Sequence, residues 1–239
     1  MEARERLIVA LDVSTLEQAR RLVAELHDLA GMFKVGLELF CSYGPRAVET
    51  VLEQGGGVFL DLKYHDIPNT VAGAARAAVR MGVSMFNVHV AGGAEMMKAA
   101  LEAARQDAGS EAMPKVLGVT VLTSLGADQL QDELGLVRPL QEQVVFWAKQ
   151  ARDCGLSGVV ASPREIETIR QRCGDDFLIV TPGIRLVGAE QGDQKRISTP
   201  GAAIRSGADY LVVGRPITKA PDPRRAALAI IEEMEAANQ

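Results

Sequence analysis

Residues 57–70, GVFLDLKYHDIPNT, set two carboxylates and an ammonium, those of Asp61, Asp66 and Lys63, at the end of an apolar run. Charged side chains are seldom buried unless they are paired or catalytic, and an aspartate beside a lysine favours the charged form of both. Strand side chains alternate with a period of two, so Asp61 and Lys63 share one face while Leu60 and Leu62 take the other. Asp66, three positions after Lys63, falls out of that phase and past the strand end. Taken alone, a D-x-K reads first as an ion pair capping a strand. The rest of the chain argues for chemistry instead.

Comparable polar residues close the other apolar runs. Asp12 ends RLIVALD, Lys34 lies inside MFKVGLEL, Thr123 and Ser124 end KVLGVTVLTS, Arg185 ends FLIVTPGIR, and Gly214 and Arg215 end DYLVVGR. Singly, each has an ordinary explanation: an aspartate begins a turn, a lysine snorkels, a threonine satisfies a backbone group. Jointly they are harder to dismiss. TPGIR (181–185) and VGRPI (213–217) put glycine beside arginine, a pairing suited to phosphate. Glycine lets backbone N–H groups approach the oxygens, and arginine adds a bidentate cationic fork. Between them, GIRLVGAEQGDQKRISTP (183–200) has the glycine and polar content of a loop that folds over a ligand, with the Gln194 amide as a further phosphate donor. A solvated surface loop is the other reading of that segment.

His89, at the end of the fourth run, has no second histidine at metal-ligand spacing and reads as a hydrogen-bonded structural residue; His65 is left unassigned. Carboxylates from the first and third runs could hold Mg²⁺, but Lys34 and Lys63 in the same mouth would repel it. Chemistry without metal or cofactor is expected.

The elements that must carry these groups form a regular series. Eight short apolar runs, at 6–12, 32–39, within 57–70, 83–90, 115–124, 157–162, 177–185 and 209–215, alternate with helix-type segments. The clearest helical segments are 15–29, 70–81, 94–106, 163–172 and 223–236, with one helix or two between 126 and 154. This pattern predicts an α/β fold of the (β/α)8 barrel type, a single domain over residues 1–239. A doubly wound sheet would call for a glycine-rich turn after the first strand, and LDVSTLEQA has no glycine. Barrel enzymes build their sites at the carboxyl ends of the strands, which is where the polar residues above fall.

With 239 residues, 47% of them hydrophobic, the chain can bury a sizeable core, and a net charge of -5 argues against a non-specific nucleic-acid binder. No uncharged apolar stretch approaches the roughly 20 residues that cross a bilayer, and MEARERLIVALDV is too short in apolar residues for a signal peptide. Cys41, Cys154 and Cys173 are an odd number at wide spacing, which indicates neither a disulfide framework nor a zinc site. A reducing, cytoplasmic setting is expected, with no membrane or nucleic-acid partner.

The sequence resembles the orotidine 5′-monophosphate decarboxylases of the bacterial type over essentially its whole length. FLDLKYHDIPNTV resembles that family's signature, LIVALDV its first strand, and FKVGLELF, VTVLTS, TPGIR, QGDQKRISTP and VVGRPIT its other blocks in order. D-x-K-x-x-D also occurs in sister barrels; its combination with Lys34 and the GDQKR loop does not. Leu186 and Val187 stand where many members have proline nearby. The resemblance implies cofactor-free removal of CO₂ from orotidine 5′-monophosphate to give uridine 5′-monophosphate, the last step of de novo pyrimidine nucleotide synthesis, through a C6 carbanion that Lys63 stabilises and protonates. It assigns Lys34, Asp61, Lys63 and Asp66 to a charged network. Asp12 and Lys34 would hold ribose hydroxyls, Thr123 with Ser124 beside it the pyrimidine edge, and Arg185, Gln194, Gly214 and Arg215 the phosphate. It further implies a homodimer in which Asp66, Ile67 and Thr70 enter the neighbouring subunit's site. Two alternatives are a Mg²⁺-dependent sugar-phosphate decarboxylase or aldolase of a sister barrel family, and a non-catalytic nucleotide-binding barrel.

Overall fold

The computed structural model describes residues 1–110, 112–186 and 196–237; Gln194 lies outside the described residues. Strands β1 (Leu7–Ala10), β2 (Met32–Gly36), β3 (Val58–Tyr64), β4 (Met85–His89), β5 (Lys115–Val119), β6 (Gly158–Val160), β7 (Leu178–Thr181) and β8 (Tyr210–Val213) pair in parallel in chain order. Strand β8 pairs with β1 and closes the barrel.

Two apolar layers follow from the alternation of side chains along each strand. Ile8, Met32, Phe59, Met85, Leu117 and Val212 point inward and fill the barrel. Their out-of-phase neighbours, among them Val9, Phe33, Leu60, Phe86 and Val213, face outward and pack against the helical ring. That ring comprises α1 (Ala3–Arg6), α2 (Leu16–Leu26), α3 (Leu37–Tyr43), α4 (Arg46–Leu52), α5 (Pro68–Arg80), α6 (Gly93–Ala108), α7 (Ala127–Asp132), α8 (Leu140–Asp153), α9 (Ile166–Cys173), α10 (Pro200–Arg205), α11 (Arg215–Thr218) and α12 (Pro223–Ala236). Their starts carry the expected signals. Thr15 caps α2 by accepting from Gln18 N–H, Asp222 caps α12 by accepting from Arg225 N–H, and α5 opens on Pro68.

The strands are shorter than the apolar runs. MFKVGLEL divides at Gly36, beyond which Leu37–Tyr43 turns helical with Glu38 in the favourable first turn. The stretch from 126 to 154 holds two helices, α7 and α8, and α1, α10 and α11 are too brief for periodicity to reveal. Among the described residues no helix is long and apolar enough to cross a membrane.

Candidate active site

The phase that fills the barrel continues past the strand ends and there turns polar. Two residues on from the inward-facing Ala10, Met32, Phe59, Met85 and Val212 come Asp12, Lys34, Asp61, Asn87 and Gly214. Together with Lys63, Thr123, Arg185 and Arg215 they surround a cavity of about 450 Å³ at the carboxyl ends of the strands, a volume suited to a small-molecule ligand; of this set only Asn87 lies behind the lining. The sequence did not single out Glu38 and Lys219, which also line it.

Its floor is an alternating chain of charges. Lys34 Nζ lies 2.8 Å from Asp12 Oδ1 and 3.5 Å from Asp61 Oδ2, and Lys63 Nζ donates to Asp61 Oδ1 at 2.7 Å. Burial alone would lower the Lys34 pKa, but Asp61 and Asp12 outweigh it and raise the value. Burial likewise pushes the Asp61 pKa up, and Lys34 and Lys63 outweigh it and hold the value down. Both groups are therefore charged at neutral pH, and the two ammoniums already neutralise the two carboxylates that a divalent cation would need.

Lys63 reaches the mouth by an irregular route. Plain alternation breaks after Leu60, where the β3–β4 register shifts, and Lys63 has φ +52°, the only positive φ of a non-glycine residue among those described. Left-handed backbone is uncommon for a long side chain and persists where the surroundings impose it. Here Lys63 N–H donates to Asn87 Oδ1 at 2.8 Å, while Asn87 Nδ2 donates to Asp61 Oδ1 at 2.7 Å. Asn87, wholly buried on β4, carries no charge to mark it in the sequence; a lone amide inside VSMFNVHV, in phase with the barrel interior, is its one signal.

The opposite wall is cationic. Burial and the neighbouring Arg215 both lower the Arg185 pKa, a repulsion that a bound anion would relieve. Arg185 is held by a donated bond from its Nη1 to Ile184 O and by a bridge between Ile184 and Ser198. Thr123 lies four residues beyond the end of β5 yet lines the cavity.

Asp66, Ile67 and Thr70 do not line this cavity. Asp66 Oδ1 accepts from Ile67 N–H at 2.6 Å, and Ile67 is 67% exposed just before α5. His89 corrects an expectation, since its ring forms no hydrogen bond among the described residues; it lies 5.2 Å from the His65 ring. Burial, with smaller contributions from the nearby His65 and Lys63, lowers its pKa to about 4, so it is neutral at pH 7.

The chain is similar over nearly its whole length to known proteins. A sequence model of the "Orotidine 5'-phosphate decarboxylase / HUMPS family" matches residues 5–230. Orotidine 5′-phosphate decarboxylase of Moorella thermoacetica is 57% identical over 98% of this chain and 94% of its own length. The protein of that name from Syntrophomonas wolfei is 54% identical over 98% of this chain and all of its own. Among solved structures, orotidine 5′-phosphate decarboxylase from Lactobacillus acidophilus superposes with a TM-score of 0.85 at 40% identity, covering 95% of this chain and 98% of that one.

Proposed function

The chain belongs to the orotidine 5′-phosphate decarboxylase / HUMPS family, and from that premise we propose how its cavity performs the reaction. The protein is a carboxy-lyase that converts orotidine 5′-monophosphate to uridine 5′-monophosphate and CO₂. The sister-barrel and non-catalytic alternatives find no support among relatives that carry one activity in their names over nearly full length.

The observation that carries the mechanism is the alternating Asp12–Lys34–Asp61–Lys63 chain facing Arg185 and Arg215 across one cavity. The phosphate takes the arginine end and Gly214, with Gln194 as a further donor. Asp12 and Lys34 take the ribose hydroxyls, and Thr123 the pyrimidine edge. This leaves C6 and its carboxylate over Asp61 and Lys63. As the C6–carboxylate bond breaks, CO₂ leaves and the electron pair stays on C6. The Lys63 ammonium stabilises that charge and then gives C6 its proton, recovering one from solvent afterwards. Asp61 orients the Lys63 ammonium by accepting its hydrogen bond and sets a like charge near the leaving carboxylate. Binding energy at the phosphate, remote from C6, assembles the site. Each carboxylate already has an ammonium, and no metal or cofactor enters this scheme.

The protein acts as a homodimer, with Asp66, Ile67 and Thr70 reaching the neighbouring subunit's cavity. What supports this is that all three lie outside their own cavity, with Ile67 an exposed apolar side chain just before α5. A free nucleotide substrate accords with the cytoplasmic setting expected from the sequence.

The test is direct: mix the protein with orotidine 5′-monophosphate in EDTA and follow the ultraviolet absorbance. Loss of the substrate band with uridine 5′-monophosphate as product is expected. No change would refute the function, and activity that EDTA abolishes would refute the metal-free scheme.

A further inference from the structure

We propose that Asn87 is a positioning residue for the decarboxylation, one that sets the Lys63 ammonium and the Asp61 carboxylate relative to each other. The proposal rests on the reading of Lys63 as the acid. Its geometry is a closed circuit: Lys63 Nζ donates to Asp61 Oδ1 at 2.7 Å, Asn87 Nδ2 donates to the same oxygen at 2.7 Å, and Lys63 N–H donates to Asn87 Oδ1 at 2.8 Å. A backbone N–H can only donate and an ionised carboxylate can only accept, so the orientation of the amide is dictated by its partners. No apolar residue can close the circuit, and neither can an ionised aspartate, which lacks the donor.

Two features show what the circuit accomplishes. Lys63 adopts φ +52° where the β3–β4 register shifts, and its N–H, displaced from the regular ladder, is taken by the Asn87 side chain. This bond pins the backbone from which the ammonium projects. The second bond uses an Asp61 oxygen that otherwise serves Lys63 alone, and so fixes the carboxylate rotamer. Asn87 itself is fully buried in the middle of β4, with Phe86 and Val88 packed on its far side. It does not line the cavity, so its effect passes through the two charged residues.

The experiment compares kcat and KM for orotidine 5′-monophosphate, equilibrium binding of uridine 5′-monophosphate and melting temperature in wild type, Lys63→Ala, Asn87→Ala and Asn87→Asp. Asn87→Ala is expected to lose on the order of 100-fold in kcat, the scale of misplacing a catalytic group by about 1 Å, while product affinity moves by less than about threefold. Asn87→Asp keeps the acceptor for Lys63 N–H but sets a carboxylate against Asp61, and more than about tenfold in kcat should be lost there as well. A purely structural role would lower the melting temperature and leave kcat per folded site unchanged. Either variant, folded and turning over within about threefold of wild type, overturns the proposal. If Asn87→Ala does not fold, Asn87→Asp decides; if neither folds, Asn87 is a folding determinant and the proposal fails. An inactive wild type would instead refute the decarboxylase reading, and an active Lys63→Ala would refute the acid.

Discussion

Removing the Lys63 ammonium takes from Asp61 its 2.7 Å partner and leaves Arg185 and Arg215 untouched across the cavity. Lys63→Ala should therefore lower turnover by roughly 10⁴-fold or more while uridine 5′-monophosphate binds within about fivefold of wild type. Arg215→Ala should do the reverse, raising KM roughly 10- to 100-fold, as expected for one lost charge-assisted bond to phosphate. Steady-state kinetics and a product titration separate the two, and an unchanged KM in Arg215→Ala contradicts the phosphate assignment. His89 provides a pH test. Its pKa falls from 6.5 to about 4 on folding, so between those values the unfolded chain binds more protons. Stability from this source is present above pH 6.5 and is lost as pH falls toward 4. His89→Gln should flatten the melting temperature against pH in that window; a slope equal to wild type would count against the assignment.

The loops after β5, β6 and β7 are tied by a buried ion pair. Arg196 Nη1 donates to Glu165 Oε1 at 2.7 Å and its Nη2 donates to Leu122 O at 2.9 Å, with Glu165 only 2% exposed. Glu165 Oε2 and Arg196 Nε have no partner among the described residues, so the pair is not optimised for stability. Breaking it is costly all the same, because a lone buried guanidinium keeps its desolvation penalty. Glu165→Leu should cost about 3–5 kcal/mol. In a chain of this size that lowers the melting temperature by on the order of 10 °C. The double variant Glu165→Leu/Arg196→Met should recover most of that loss, and a single variant as unstable as the double would refute the pairing.

On the scale of the assembly, Lys63 and Asp66 are expected to serve different cavities, although three positions separate them in the chain. Lys63→Ala and Asp66→Asn should each be inactive alone. Unfolded together, refolded and assayed, they should regain roughly a quarter of wild-type activity, because one site in each mixed dimer carries both native residues. Mixtures that remain inactive would argue that Asp66 acts within its own subunit or not at all. Sedimentation of the unmixed protein gives the independent check that a dimer forms.

Much of this was legible in the sequence because the barrel repeats one rule eight times. An inward position two residues past an apolar one lies in the mouth, which makes Asp12, Lys34, Asp61 and Gly214 readable from phase. The arginine wall of the cavity was readable from glycine beside arginine in TPGIR and VGRPI. Phase could not show that Lys63 departs from the strand at φ +52°, since a register shift arises from pairing with β4 and not from the residues of β3. Nor could it show that Asn87 closes a circuit with Lys63 and Asp61, 24 and 26 residues away, or that Arg196 meets Glu165 at 31. Such bonds join residues remote in the chain, and their partners are chosen only when closure of the barrel brings the strand ends together.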